Sequence, residues 1–109
     1  MGTVAERLAE LGIELPPVAA PLASYVPAVR SGSWVFTAGQ LPLRDGTLLA
    51  TGTVGFDVDV ETAAACARQC ALNALAAVDD VLGGLDSVVR VVKVVGFVAA
   101  EPSFTAHPA

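Results

Sequence analysis

The sequence predicts an α+β domain, a layer of mainly antiparallel sheet with a helix packed on one face, and three stretches carry that prediction. Tyr25 to Val29 and Trp34 to Ala38 are β-branched or aromatic runs on either side of Arg30-Ser31-Gly32-Ser33, the pattern of a hairpin closed by a glycine-containing loop. Asp57 to Gly83 has the composition and bounds of one long helix. Ser87 to Ala100 is almost wholly apolar and β-branched, which is the signature of a central strand covered on both faces. The resulting β-β-α-β order places a helix against a sheet.

Each element follows from local chemistry. Val4, Leu8 and Leu11 alternate with Glu6, Arg7 and Glu10 as an amphipathic helix with a packing role, and Gly12 ends it. Pro16, Pro17 and Pro21 keep residues 13–21 out of a helix and make them an extended connector. Pro27 marks an edge or irregular start to the first strand of the hairpin. Arg44-Asp45-Gly46-Thr47 is a turn, and Leu48 to Gly52 a short third strand, so that three strands form a meander.

In the long helix Asp59 is the expected N-cap, Glu61 complements the dipole of the first turn, and Gly83-Gly84 is the stop. The expected inner face is Ala63, Ala67, Cys70, Ala71, Ala74, Val78 and Val81, small enough to seat the helix close on a sheet. Asp79 and Asp80 read as a solvated face. The tail from Glu101 to Ala109 looks like a loop leading toward a second helix.

A chain of 109 residues is one domain, and at this size about two thirds of the unfolded surface is buried. Its 54% hydrophobic and 16% charged residues are an apolar balance for a small monomer, which implies that other subunits cover part of the surface. Arg90 and Lys93 interrupt the longest apolar stretch before it reaches the roughly 20 residues of a membrane span. Met1 to Leu11 lacks the basic start and apolar centre of a secretory peptide, so a cytoplasmic location is expected. A net charge of −5, with the six cationic residues scattered, weighs against binding nucleic acid.

Cys66 and Cys70 share a helix face, but no further ligands accompany them, and they read as small core residues with reduced thiols and no metal. His107 stands alone near the end of the chain and supports no catalytic triad. No phosphate-binding glycine motif calls for a nucleotide, and no cofactor is expected. The segment with chemical content is Ser24 to Leu43. There Gly39 and its neighbours can aim backbone N–H groups at a carboxylate, and Tyr25 can offer a hydroxyl or a ring face. The residues alone favour the plainer reading, Tyr25 as a half-buried strand aromatic and Gly39 as a bulge or turn glycine.

That segment, with Leu11-Gly12-Ile13-Glu14-Leu15-Pro16, Gly52-Thr53-Val54-Gly55, Cys70 to Ala77 and Val89 to Val98, resembles a bacterial branch of the RidA family, also called YjgF or L-PSP proteins. The resemblance covers nearly the whole chain, residues 1–109, as one RidA-like domain with an N-terminal helix and connector (1–23), a core (24–100) and a tail (101–109). It implies a chorismate-mutase-like fold and a homotrimer with a pocket between subunits. The implied activity is hydrolysis of reactive enamines or imines to keto acids and ammonia. An endoribonuclease label also attaches to the family, and the acidic composition disfavours it here.

By resemblance Tyr25 matches a pocket tyrosine, and Ala38-Gly39 match a Ser-Gly pair that contacts the ligand. Ala38 removes the hydroxyl of that serine. The family's substrate-gripping arginine and water-holding glutamate belong to a C-terminal part, with further strands and a second helix, that these residues do not include. No catalytic residue is therefore identified, and Arg44 and Glu61 are not substitutes. A fragment of a longer deaminase-like protein is the expectation, with a non-catalytic module binding a small carboxylate as the alternative.

Overall fold

The computed structural model describes residues 3–109; Met1 and Gly2, the start of the segment read above as lacking a targeting signal, lie outside the described residues. The order of elements is α1 (Val4–Glu10), β1 (Ala28–Ser31), β2 (Trp34–Thr37), β3 (Leu43–Arg44), β4 (Thr47–Leu48) and α2 (Val60–Leu82). Thr3 caps α1 in a reciprocal box: its hydroxyl accepts from the Glu6 N–H, and the Glu6 carboxylate accepts from the Thr3 N–H. The expected packing face is weak, because Leu11 is exposed and α1 buries no residue. Its attachment is polar, through the Val4 N–H donated to Asp86 Oδ1 at 2.7 Å.

β1 and β2 pair antiparallel, with Ala28 opposite Thr37 and Ser31 opposite Trp34. The loop is therefore only Gly32-Ser33, and Arg30 and Ser31 belong to the strand rather than to the turn. Gly32 at φ 58 supplies the positive angle that a tight hairpin needs at its first central position. Tyr25, Val26 and Pro27 stand outside the ladder, as a proline without an N–H requires, although the Pro27 carbonyl accepts one more bond from the Ala38 N–H.

The expected meander is corrected. β3 and β4 form their own two-stranded ladder around Asp45 (φ 52) and Gly46 (φ 79), and no ladder joins β2 to β3. Gly39 to Pro42 runs between them as a loop, since Pro42 has no N–H to give a third strand.

α2 begins at Asp59, whose carboxylate accepts from the Thr62 N–H at 2.7 Å, and ends at Gly83 in the left-handed conformation. It packs across β1, β2 and β3, making the two-layer α+β arrangement. The buried stripe differs from the expected one. Gln69, Asn73, Ala76 and Ala77 face the sheet, whereas Ala67, Ala71 and Val81 are exposed. The reason is hydrogen bonding: the carbonyls of the 41–43 loop seek donors, and only the Gln69 and Asn73 side of the helix provides them.

The largest correction concerns residues 87–100. Their strand composition meets no ladder: the described residues show one bridge, Val54 to Ala100, and Val89 and Phe97 are 95% and 96% exposed. A strand exists only where a neighbour takes its N–H and C=O groups, and here none is adjacent. The consequence is measurable in the whole chain. Its accessible surface is 8041 Å², whereas about 5,600 Å² is expected for a folded monomer of 11.0 kDa. The radius of gyration, 15.0 Å, likewise exceeds the ~13 Å of a closed domain of this length. No second helix follows in 101–109, where turns and an edge-to-face contact of Phe104 with His107 occur instead. Among the described residues no helix is long and apolar enough to cross a membrane.

Candidate functional site

The 39–43 loop and the proline-bearing connector converge on a cleft of about 20 Å³, with Tyr25, Gly39, Gln40 and Leu41 on its walls. Two sequence-predicted residues 14 positions apart, Tyr25 and Gly39, thus meet at one place. The volume admits about one water molecule, so a larger ligand needs walls beyond those present here. Tyr25 is 44% exposed; its hydroxyl oxygen accepts weakly from the Leu22 N–H at 3.4 Å, which leaves its own proton to be donated elsewhere.

Ala38 is placed differently. Its N–H donates to the Pro27 carbonyl at 2.8 Å, its carbonyl accepts from Gln40 Nε2 at 3.2 Å, and it does not line the cleft. Both of its backbone groups are engaged, and its methyl brings no hydroxyl. By contrast, the N–H groups of Gly39, Gln40 and Leu41 have no hydrogen-bond partner among the described residues. Three successive free amides are the raw material of an anion cradle.

Gly39 is not demanded by the backbone. It lies outside the left-handed region, and a Cβ placed on it would meet nothing within 4 Å. Neither a left-handed turn nor a close neighbour therefore requires a glycine at this position.

The loop is held from below by residues that the sequence reading did not single out. Asn73 Nδ2 donates to the carbonyls of Leu41 and Leu43, at 3.0 Å each. Its Oδ1 accepts from Gln69 Nε2 at 3.0 Å, and Gln69 Oε1 accepts from Arg44 Nε at 3.3 Å. The available signal was two carboxamides four apart in an alanine-rich helix, where a polar pair on one face needs partners. Arg44 thus serves α2. Neither it nor Glu61 lines the cleft.

Cys66 and Cys70 are free thiols, each half-buried. Burial, reinforced by the neighbouring Cys66, pushes the Cys70 thiol above its ordinary value, so it is a poor nucleophile at neutral pH. Among the described residues no three His, Cys, Asp or Glu side chains cluster as a metal site would require. A second, open hollow lies at Val94, Phe97 and His107, where His107 is the one polar side chain of the lining.

A helix laid over two antiparallel hairpins, with a water-sized cleft lined by Tyr25 and the 39–41 loop, defines an α+β domain. The chain belongs to the YjgF family: residues 5–109 match the family model described as "YjgF/chorismate mutase-like, putative endoribonuclease". It is 45% identical over 104 residues to Protein TCP17 of Trypanosoma cruzi, a match covering 95% of this chain and 65% of that protein. Among solved structures it is similar to Atu1372 of Agrobacterium tumefaciens, a protein described as of unknown function. That match has TM-score 0.80 and 46% identity, over 92% of this chain and 61% of the other. A protein from Shewanella oneidensis MR-1, described as a "putative endoribonuclease", matches with TM-score 0.72 and 40% identity, over 77% of this chain and 56% of its own. The chain therefore spans between 56% and 65% of the length of these three relatives.

Proposed function

We propose that the complete protein hydrolyses reactive enamines and imines of small carboxylic acids, with the cleft at Tyr25 and Gly39 as one wall of its site. The observation that carries this reading is that Tyr25 lines the same cleft as Gly39, Gln40 and Leu41, three residues whose N–H groups have no hydrogen-bond partner among the described residues. The amides suit a carboxylate, and the hydroxyl suits the imine nitrogen or the oxygen that the added water brings. In the reaction water adds to the C=N carbon, ammonia leaves, and a keto acid remains. The cleft lining holds no His, Asp, Glu, Lys or Cys, and Tyr25 is its one proton-bearing side chain of the acid–base kind, so this reading assigns the remaining proton transfers to groups outside these residues.

A pocket completed by other subunits of a homotrimer fits the small cleft volume and the excess accessible surface. A cytoplasmic setting with reduced thiols fits the two unpaired cysteines. Coupling an amino-acid oxidase to keto-acid detection tests the activity. The complete protein should speed keto-acid release over the free reaction, and equal rates would count against hydrolysis.

A second reading, a module that binds a small carboxylate without chemistry, is favoured by Ala38, which lacks the hydroxyl its resemblance would supply. Titration with 2-ketobutyrate separates the two, because binding without turnover selects the second. RNA cleavage is disfavoured by the net charge of −5, and a labelled RNA incubated with the protein should stay intact.

A further inference from the structure

Asn73 is 1% exposed and is the largest side chain fully withdrawn from solvent among the described residues, in a core whose apolar members are Ala28, Val54, Ala76, Ala77 and Leu85 and whose other buried polar residue is Gln69. A carboxamide in that position is costly unless every donor and acceptor is used, and here all are used. We propose that Asn73 is the positioning residue of the cleft: its carboxamide sets the path of Leu41-Pro42-Leu43 and thereby the direction in which the Gly39, Gln40 and Leu41 amides face. This rests on the reading of the cleft as a carboxylate site.

The geometry is directional. Arg44 Nε can only donate, so Gln69 must turn Oε1 toward it and Nε2 toward Asn73. Asn73 must then present Oδ1 to Gln69 and both Nδ2 protons to the loop. Those protons reach the carbonyls on either side of Pro42, and the Leu43 N–H closes on the Leu41 carbonyl at 2.8 Å as a three-residue turn. Arg44 follows Leu43 in the chain, so the bonds form a ring: loop, Arg44, Gln69, Asn73 and loop again. The Leu49 N–H, donated to the Pro42 carbonyl at 3.0 Å, ties β4 to the same turn. The first free amide is two residues from this clamp.

The test uses the complete protein, 2-ketobutyrate as probe, and amide exchange. Asn73→Asp keeps size and shape; ionised, it turns lone pairs on two carbonyls, and protonated it can donate to only one of them. Expected are roughly tenfold weaker binding at neutral pH and partial recovery toward about pH 5, as protonation restores one donor. Exchange should speed at Leu43 and Leu49 while α2 amides keep their protection. A merely structural role would lower stability but leave the affinity of the folded variant and the exchange at Leu43 unchanged. Wild-type affinity and unchanged Leu43 exchange in the variant would overturn the inference.

If Asn73→Asp does not fold, Gln69→Glu keeps the acceptor for Arg44 but removes the donor to Asn73, releasing the carboxamide to turn over. Roughly threefold weaker binding with faster Leu43 exchange is then expected, and no change in either overturns the proposal. Failure of the wild type to bind 2-ketobutyrate would speak against the carboxylate reading itself. The exchange readout would still decide whether Asn73 holds the loop: lost protection confined to Leu43 and Leu49 supports it, and unaltered protection rejects it.

Discussion

Two stretches of similar length, the 39–48 segment with its supporting face of α2 and the apolar run 88–98, use opposite means to be structured. The first has few large apolar groups, yet its carbonyls are gripped by Asn73, its turn is closed by Asp45-Gly46, and its arginine reaches back to the helix. The second is rich in valine, and most of it stands in solvent. Hydrophobicity supplies a reason to be covered but no address; hydrogen-bonding groups at fixed spacing supply the address. A short polar network therefore orders a loop that apolar composition alone leaves extended.

The comparison breaks most visibly in the small core beneath the loop. Ala77 is 1% exposed, and Ala77→Leu should destabilise the fold by about 2 kcal/mol in urea unfolding, because the added methylenes have no space between helix and sheet. A cost near zero would mean that the helix is not seated as described.

The next effect is pH-dependent. Hydrogen bonds from Thr62 hold the Asp59 carboxyl below its ordinary value. A depressed carboxylate stabilises the fold above its unfolded value and loses that contribution as pH falls through the folded one. Asp59→Ala should accordingly lower the thermal midpoint at neutral pH, with the gap to wild type closing in acid. A gap of equal size at all pH values would exclude the charged cap as its source.

In the 88–98 run the expected effect is smaller and more telling. Phe97→Ser should change the stability of the 109-residue chain by no more than about 0.5 kcal/mol, since the ring is 96% exposed. The same change in a complete assembly that covers the ring should cost several-fold more. Equal effects in both would show that nothing covers this run. Smallest is the thiol difference: Cys70 should be alkylated slowly at neutral pH and faster as the medium becomes alkaline, and rapid labelling at neutral pH would contradict its burial.

Much of the fold was legible because its signals are local. Asp59 and Gly83 bound α2 where the sequence places them, and the Gly32 and Gly46 turns organise the hairpins. The failures are non-local. Helical spacing in an alanine-rich segment offers several equivalent stripes, and only the unpaired carbonyls of residues 41 and 43 choose the one with Gln69 and Asn73. Strand composition at 88–98 cannot supply the neighbour on which a ladder depends. At the site, Tyr25 and Gly39 are legible in the sequence, but not that they line one cleft together with Ala19 to Leu22 of the connector. The engagement of Ala38 with Pro27 and Gln40 has no sequence signal at all.

Gly39 to Leu41 hangs as a short span between two fixed piers, Ala38 bonded to Pro27 on one side and Leu41-Pro42-Leu43 gripped by Asn73 on the other. A span of that kind yields at its middle while its ends stay still. Under the carboxylate reading proposed above, small rotations of these peptide planes would accommodate acids of different reach without moving α2 or the hairpins, which makes tolerance among ligands a property of the backbone rather than of any side chain.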